Sequence, residues 1–181
     1  MSYPWYEVLD DESNDLQQGD FIHNCPILIP PTNIVDEGEN EIEIKEIDSI
    51  ILSQSCDLVN NKIEIVLVCP FYPLNTFLNN LPEDQQGKNS QRKAIENLRK
   101  GFLPGYHLLN SEMEIQSLSD FQVVDFRNVY GIQYQSLVSL TSKIKGRVRL
   151  LPPYREHLSQ SFARYFMRVG LPQDIVTEGY I

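Results

Sequence analysis

The run Ser53-Gln54-Ser55-Cys56-Asp57 stands where the apolar stretch Ile50-Ile51-Leu52 leaves the core. Loops at strand ends are where a rigid scaffold most often fixes reactive groups. A thiol nucleophile at Cys56 needs a base, and His107 or His23 can serve only if the fold brings one near. Ser53, Cys56, Asp57 and His107 therefore form the candidate catalytic set. A plainer reading stands beside it. Free cysteine packs as a small hydrophobe, and no glycine-flanked elbow or glycine-rich oxyanion loop accompanies this one. On that reading residues 53–57 form a strand-end turn with Cys56 largely buried. Asp57 then accepts backbone amides or pairs with a basic residue such as Arg127.

Metal chemistry would have to gather Cys25, Cys56 and Cys69 with His23 or His107. Zinc favours tight pairs such as C-x2-C, whereas the nearest cysteines here are 13 residues apart. No metal and no cofactor is expected. Two acidic runs, Asp10, Asp11, Glu12, Asp15 and Asp36, Glu37, Glu39, Glu41, lack the glycine and oxygen spacing of a calcium loop and read as solvated faces. The stretch Lys143-Ile144-Lys145-Gly146-Arg147-Val148-Arg149 alternates basic and apolar side chains. A strand there would align four cations on one face. With Arg155, Arg164 and Arg168 they make the candidate phosphate-facing, nucleic-acid-binding patch.

The elements that must position these residues are mixed. Residues 21–29 read as a strand that Pro26 places at an edge or a bulge. Residues 41–47 alternate apolar and polar, as a half-exposed strand does, and residues 49–53 and 62–69 read as buried strands. The turn between these last two falls at Asn60-Asn61, and Pro70 and Pro73 close the second. Short and longer helices are predicted over 74–81 and 89–100, the latter ended by Gly101. Strands follow over 106–109, 121–126 and 127–132. A final helix begins after Pro153 and places Tyr154, Leu158, Phe162, Tyr165, Phe166 and Val169 on one apolar face. The wet face of residues 41–47 favours antiparallel pairing over a doubly wound sheet.

The whole chain has 181 residues, 41% hydrophobic and 22% charged, which fits one ordinary domain with a real core. We divide it into an acidic arm (1–18) able to dock through its aromatics, an α+β domain (19–172) and a tail (173–181). Residues 1–15 lack the basic start and apolar middle of a signal peptide, and three cysteines make no even disulfide set. A soluble cytoplasmic protein with reduced thiols and no membrane contact is expected. The net charge of -10 conceals a split. Up to residue 60 there are 14 acidic residues against one basic, whereas residues 121–170 carry two acidic and eight basic. Such a layout suits intramolecular complementarity, self-association or charged partners.

The segments "SIILSQSCDL", "VVDFRNVYGI" and "RVRLLPPYREHLSQSFARYFMRVGLP" resemble a family of small bacterial proteins, a likeness that implies no activity. The order "QGDFI", "SIILSQSCDL", "IEIVLVCPFYPL", "VVDFRNV" and a last helix resembles the MazF/PemK toxin layout. That resemblance implies a small SH3-like β-barrel with helices, and RNA cleavage in active members. Only Ser53 and Gly19-Asp20 match residue by residue. Glu46-Ile47-Asp48 stands where the family has its arginine-proline pair, and Tyr72 replaces its threonine.

The expected fold is therefore α+β: a strongly bent antiparallel sheet or SH3-like β-barrel with a helical insertion and a C-terminal amphipathic helix. The leading functional expectation is a non-catalytic bacterial protein-binding or regulatory protein, in a toxin–antitoxin or defence setting, whose partner is another protein or itself. The alternatives are a MazF/PemK-like RNA-binding protein or endoribonuclease, and a thiol enzyme using Cys56.

Overall fold

The computed structural model describes residues 3–10, 15–33, 38 and 41–167. Val169 and Arg168, the tail and parts of both acidic runs lie outside them. The chain is α+β, with eight strands and five α-helices among the described residues. The strands are β1 (Tyr6–Val8), β2 (Phe21–Ile29), β3 (Glu43–Ile51), β4 (Ile65–Pro73), β5 (Tyr106–Leu109), β6 (Gln122–Asp125), β7 (Tyr130–Gln133) and β8 (Val148–Leu150). The helices are α1 (Ser55–Val59), α2 (Leu74–Asn79), α3 (Lys88–Arg99), α4 (Tyr134–Thr141) and α5 (Tyr154–Phe166). None is long and apolar enough to cross a membrane.

Every strand pair is antiparallel, as the wet face predicted. Six strands run in the order β2-β3-β4-β6-β5 with β7 also on β4, and β1 pairs separately with β8. The sheet does not close into a barrel. Residues 43–51 form one strand rather than two; its first half is exposed and its last three residues are buried. Pro26 lies on the edge strand, but the register slips nearby, between Ile22 and Cys25, where Asn24 takes a φ of 52°.

Pro70 was expected to end β4, yet the strand runs on to Pro73. The reason is topological. Ile65 to Val68 pair with β7, and Phe71 to Pro73 pair with β6. Pro70 falls between these two partners on one side of β4, and on the other side it lies opposite Ser49 of β3.

The predicted arm is built into the fold. Tyr6 pairs with Leu150 and Val8 with Val148, while Tyr6, Leu9 and Leu16 are buried. Trp5 stacks on Tyr154 at a centroid distance of 3.6 Å. Gly19 makes the close approach possible: its φ is +85°, and a Cβ there would lie 3.0 Å from the Leu150 Cβ. Leu150 N donates to the Gly19 carbonyl, and Gly19 N donates to that of Ile51.

In α5 the apolar face is shorter than predicted. Leu158 is buried, and Tyr154, Phe162 and Tyr165 pack against the core, but Phe166 is 61% exposed. Its ring contacts among the described residues are with neighbours on its own helix, Phe162 and Tyr165.

Candidate functional site

The structure separates the predicted thiol machinery. Residues 55–59 are a helix, not a turn, and Cys56 is exposed rather than buried. One turn of helix after the strand carries its side chain outward, while Leu58 takes the core position. The Cys56 Sγ lies 3.7 Å from the Asp57 carboxylate. Ser53 is occupied in the scaffold, where its Oγ accepts the Leu67 amide at 2.8 Å. His107 lies elsewhere, stacked against Phe126, and His23 faces Asp48 at 3.3 Å. Asp57 does not meet Arg127, which pairs with Asp125 instead.

Cys25 and Cys69 are buried in different clusters of the core. Burial pushes the Cys25 thiol up to about 11; burial and then the Asp125 charge push Cys69 up to about 12. No group of three or more metal-ligating side chains occurs among the described residues. Iodoacetamide is therefore expected to add once to the native protein, at Cys56. Intact-mass spectrometry checks this, and comparable labelling of Cys25 or Cys69 would contradict their burial.

The cationic strip also departs from its expected form. Only residues 148–150 are a strand, so Lys143 and Lys145 lie outside it. Arg147 and Arg149 are 4% and 7% exposed and turn inward to Asp20, which is fully buried. The Arg149 Nη2 donates to the Asp20 Oδ2 at 3.0 Å, and the Arg147 Nε lies 3.2 Å from the same oxygen. Both guanidinium groups also donate to the Asp15 carbonyl, at 2.7 and 2.8 Å. Arg155 reaches Glu156 and the Gln17 side chain, and Arg164 belongs to a different hollow beside α3. Four cations on one solvent face do not exist here.

A more constructed arrangement lies where β6 ends. Asp125 accepts hydrogen bonds from the Arg127 Nε at 2.9 Å, its Nη2 at 2.7 Å and its backbone amide at 3.0 Å. The Tyr72 hydroxyl and Asn128 Nδ2 donate to Oδ2, the oxygen that also accepts the Arg127 Nη2, each at 3.3 Å. The Arg127 guanidinium lies 4.5 Å from the centre of the Tyr106 ring, a cation–π contact. Strand register supplies this geometry, because Tyr106 is the direct partner of Asp125 and Tyr72 that of Val123. Gly105 leaves the necessary room, since a Cβ there would sit 3.1 Å from the Arg127 Cγ.

Burial alone would raise the Asp125 carboxyl, but the Arg127 hydrogen bonds and charge outweigh it and hold the group below the usual carboxylate range. Burial, and then the Asp125 charge, raise the Tyr72 hydroxyl, so it stays a donor. Arg127 is raised by its hydrogen bond to Asp125. None of these groups is poised to exchange a proton near neutrality.

The half-exposed Arg127 faces a cleft of about 790 Å³ between this sheet and the α2–α3 insertion. Lys93 and Asn97 line it from α3, and Phe77 and Leu103 give it apolar wall. The sequence reading missed this site. Its only local signal is Asp-x-Arg at the end of an apolar strand, in the segment "VVDFRNV". Comparison with known proteins finds no family model that matches the chain and no curated protein significantly similar to it.

Proposed function

We propose that this chain is a non-catalytic binding protein and that the cleft over Asp125 and Arg127 takes a small organic carboxylate. The observation behind this reading is the locked guanidinium. Asp125 occupies Nε and one edge of Nη2, and Tyr106 covers one face, so the remaining donors present a fixed fork to the cleft. A fixed fork matches the geometry of a carboxylate and loses little freedom on binding. Lys93 adds a second positive charge, and Phe77 and Leu103 suit an apolar or aromatic body. The volume is that of ordinary small-molecule sites. A regulatory role, coupled to another protein, is the natural use of a site that binds without reacting. A MazF/PemK-like ribonuclease reading rests on segment order and the match of Ser53 and Gly19-Asp20, and two of the cations it would use face Asp20.

N-acetylphenylalanine carries the two features the cleft matches, a carboxylate and an aromatic body, and its amide lacks the carboxylate. Calorimetry is expected to detect the acid and to give the amide at least tenfold weaker binding. Lys93→Ala, which leaves the Asp125 network intact, should weaken the acid several-fold, and Arg127→Lys about tenfold by losing the fork. Equal binding of acid and amide, or an unaffected Arg127→Lys variant, would overturn the reading.

A further inference from the structure

A second hollow, of about 460 Å³, lies between α3, β5 and α5 and is closed on one side by the N-terminal segment. Its walls include Arg99, Lys100 and Arg164 together with the imidazoles of His107 and His157. No carboxylate is among its described lining residues. The chain as a whole carries a net charge of -10. A compensating acid, Glu96, lies on α3 outside the wall. It accepts from Arg99 at 2.9 and 2.8 Å and lies 3.0 Å from Lys100. One carboxylate offsets one of the three cations, and Arg164 makes no ion pair among the described residues. The hollow therefore keeps a surplus of positive charge, a condition that favours an anion.

The remaining walls say more about the ligand. Trp5, held flat by its stack on Tyr154, and Phe121, 40% exposed, offer aromatic surface at the same opening. Ser161, Gln160 and Asn110 supply neutral hydrogen-bonding groups. Guanidinium and ammonium groups beside aromatic rings are the combination that takes a phosphate attached to a planar ring.

We infer that this hollow is a second ligand site, distinct from the carboxylate cleft, and that it binds an aromatic phosphomonoester of mononucleotide size through Arg164, Arg99 and Lys100. Arg164 is the principal phosphate contact, because Glu96 already engages the other two. The ring lies against Trp5 or Phe121.

Trp5 is the single tryptophan of the chain and lines this hollow, so its fluorescence can report on binding there. Excitation at the red edge of the indole band avoids absorption by the probe. Titration with uridine monophosphate is expected to change the Trp5 emission saturably, whereas uridine at the same concentrations does not. Arg164→Ala should weaken the monophosphate at least tenfold, the loss typical of a charge-assisted contact. Lys88→Ala, on the same helix as Arg99 but off the wall, should leave the titration unchanged. Equal responses to uridine and its monophosphate would overturn the inference, and so would an Arg164→Ala variant that binds as the parent does. A single-stranded oligouridylate bound at least a hundredfold more tightly, with a steep salt dependence, would overturn the small-molecule assignment in favour of a nucleic-acid surface.

Discussion

Replacing Asp20 with alanine is expected to destabilise the fold by about 3–5 kcal/mol, the range for removing one partner from a buried ionic cluster. Asp20 is fully buried and is the carboxylate that faces two nearly buried guanidinium groups. Burial presses the Arg147 guanidinium below its ordinary value, and the Asp20 charge opposes that shift. Without Asp20, two cations remain in a low-dielectric site with the Asp15 carbonyl as a shared acceptor. Asp20→Asn should recover part of the loss, because an amide oxygen still accepts a hydrogen bond but carries no charge. Converting all three side chains together, Asp20→Leu with Arg147→Met and Arg149→Met, should recover most of it, since an apolar core of similar volume can match a buried ionic cluster. Urea denaturation of the four proteins is the measurement. A loss below about 1 kcal/mol for Asp20→Ala would show that water reaches the two guanidinium groups.

Acidification should weaken the protein through His107. This imidazole stacks against Phe126 on a wall that also carries His157, Arg99, Lys100 and Arg164. Burial, and then the charge of His157, lower it from 6.5 to about 4. In the unfolded chain the same imidazole protonates near 6.5. Between these values the unfolded state binds a proton that the native state does not, so stability declines as the pH falls. The loss begins near pH 6.5 and is complete just below pH 4, and it amounts to about 3 kcal/mol. Above pH 6.5 both states are neutral and His107 contributes no slope. The lowered carboxyls of Asp48 and Asp125 also make acid destabilising, but further down the pH scale and equally in a His107 variant. The comparison is therefore a difference: native protein against His107→Phe, unfolded in urea at several pH values from 7.5 to 4.5. The parent should lose stability relative to the variant progressively below about pH 6.5, with no change between 7.5 and 6.5. A constant difference between the two proteins would show that His107 titrates as a solvated histidine does.

Patterns carried by neighbouring residues were legible in advance. Ala94, Ile95 and Leu98 mark α3, and Gly101, with a φ of +69°, follows its end as expected. Within the Asn60-Asn61 turn, Asn61 takes a φ of 50°, a left-handed conformation that asparagine tolerates. Helix α4 escaped notice although Tyr134, Leu137, Val138 and Thr141 follow helical spacing, because serines and β-branched residues dilute the pattern. What depends on distant residues was not legible. The alternation over 143–149 does set Arg147 and Arg149 on a common face, but nothing local tells that the face points inward to an acid 129 residues earlier. Cys56 was expected inside on the habits of its residue type, and one turn of helix places it outside. The fork at Arg127 needs Tyr72, Tyr106 and Asp125 from three strands, and only the sheet register assembles them.

The pairing of β1 with β8 has a temporal meaning. The bonds from Arg149 to Asp20 and to the Asp15 carbonyl span 129 and 134 residues. During synthesis at roughly 5–20 residues per second, the first strand therefore waits on the order of ten seconds for its neighbour to exist. Through that interval Tyr6 and Phe21 have no Leu150 to cover them, and Asp20 has no counter-charge. The middle of the chain can collapse earlier, because β3, β4, β6 and β7 find one another over shorter separations. Closure of this molecule is thus a late event on the ribosome, and a chain released before residue 147 lacks both arginines that neutralise its buried acid.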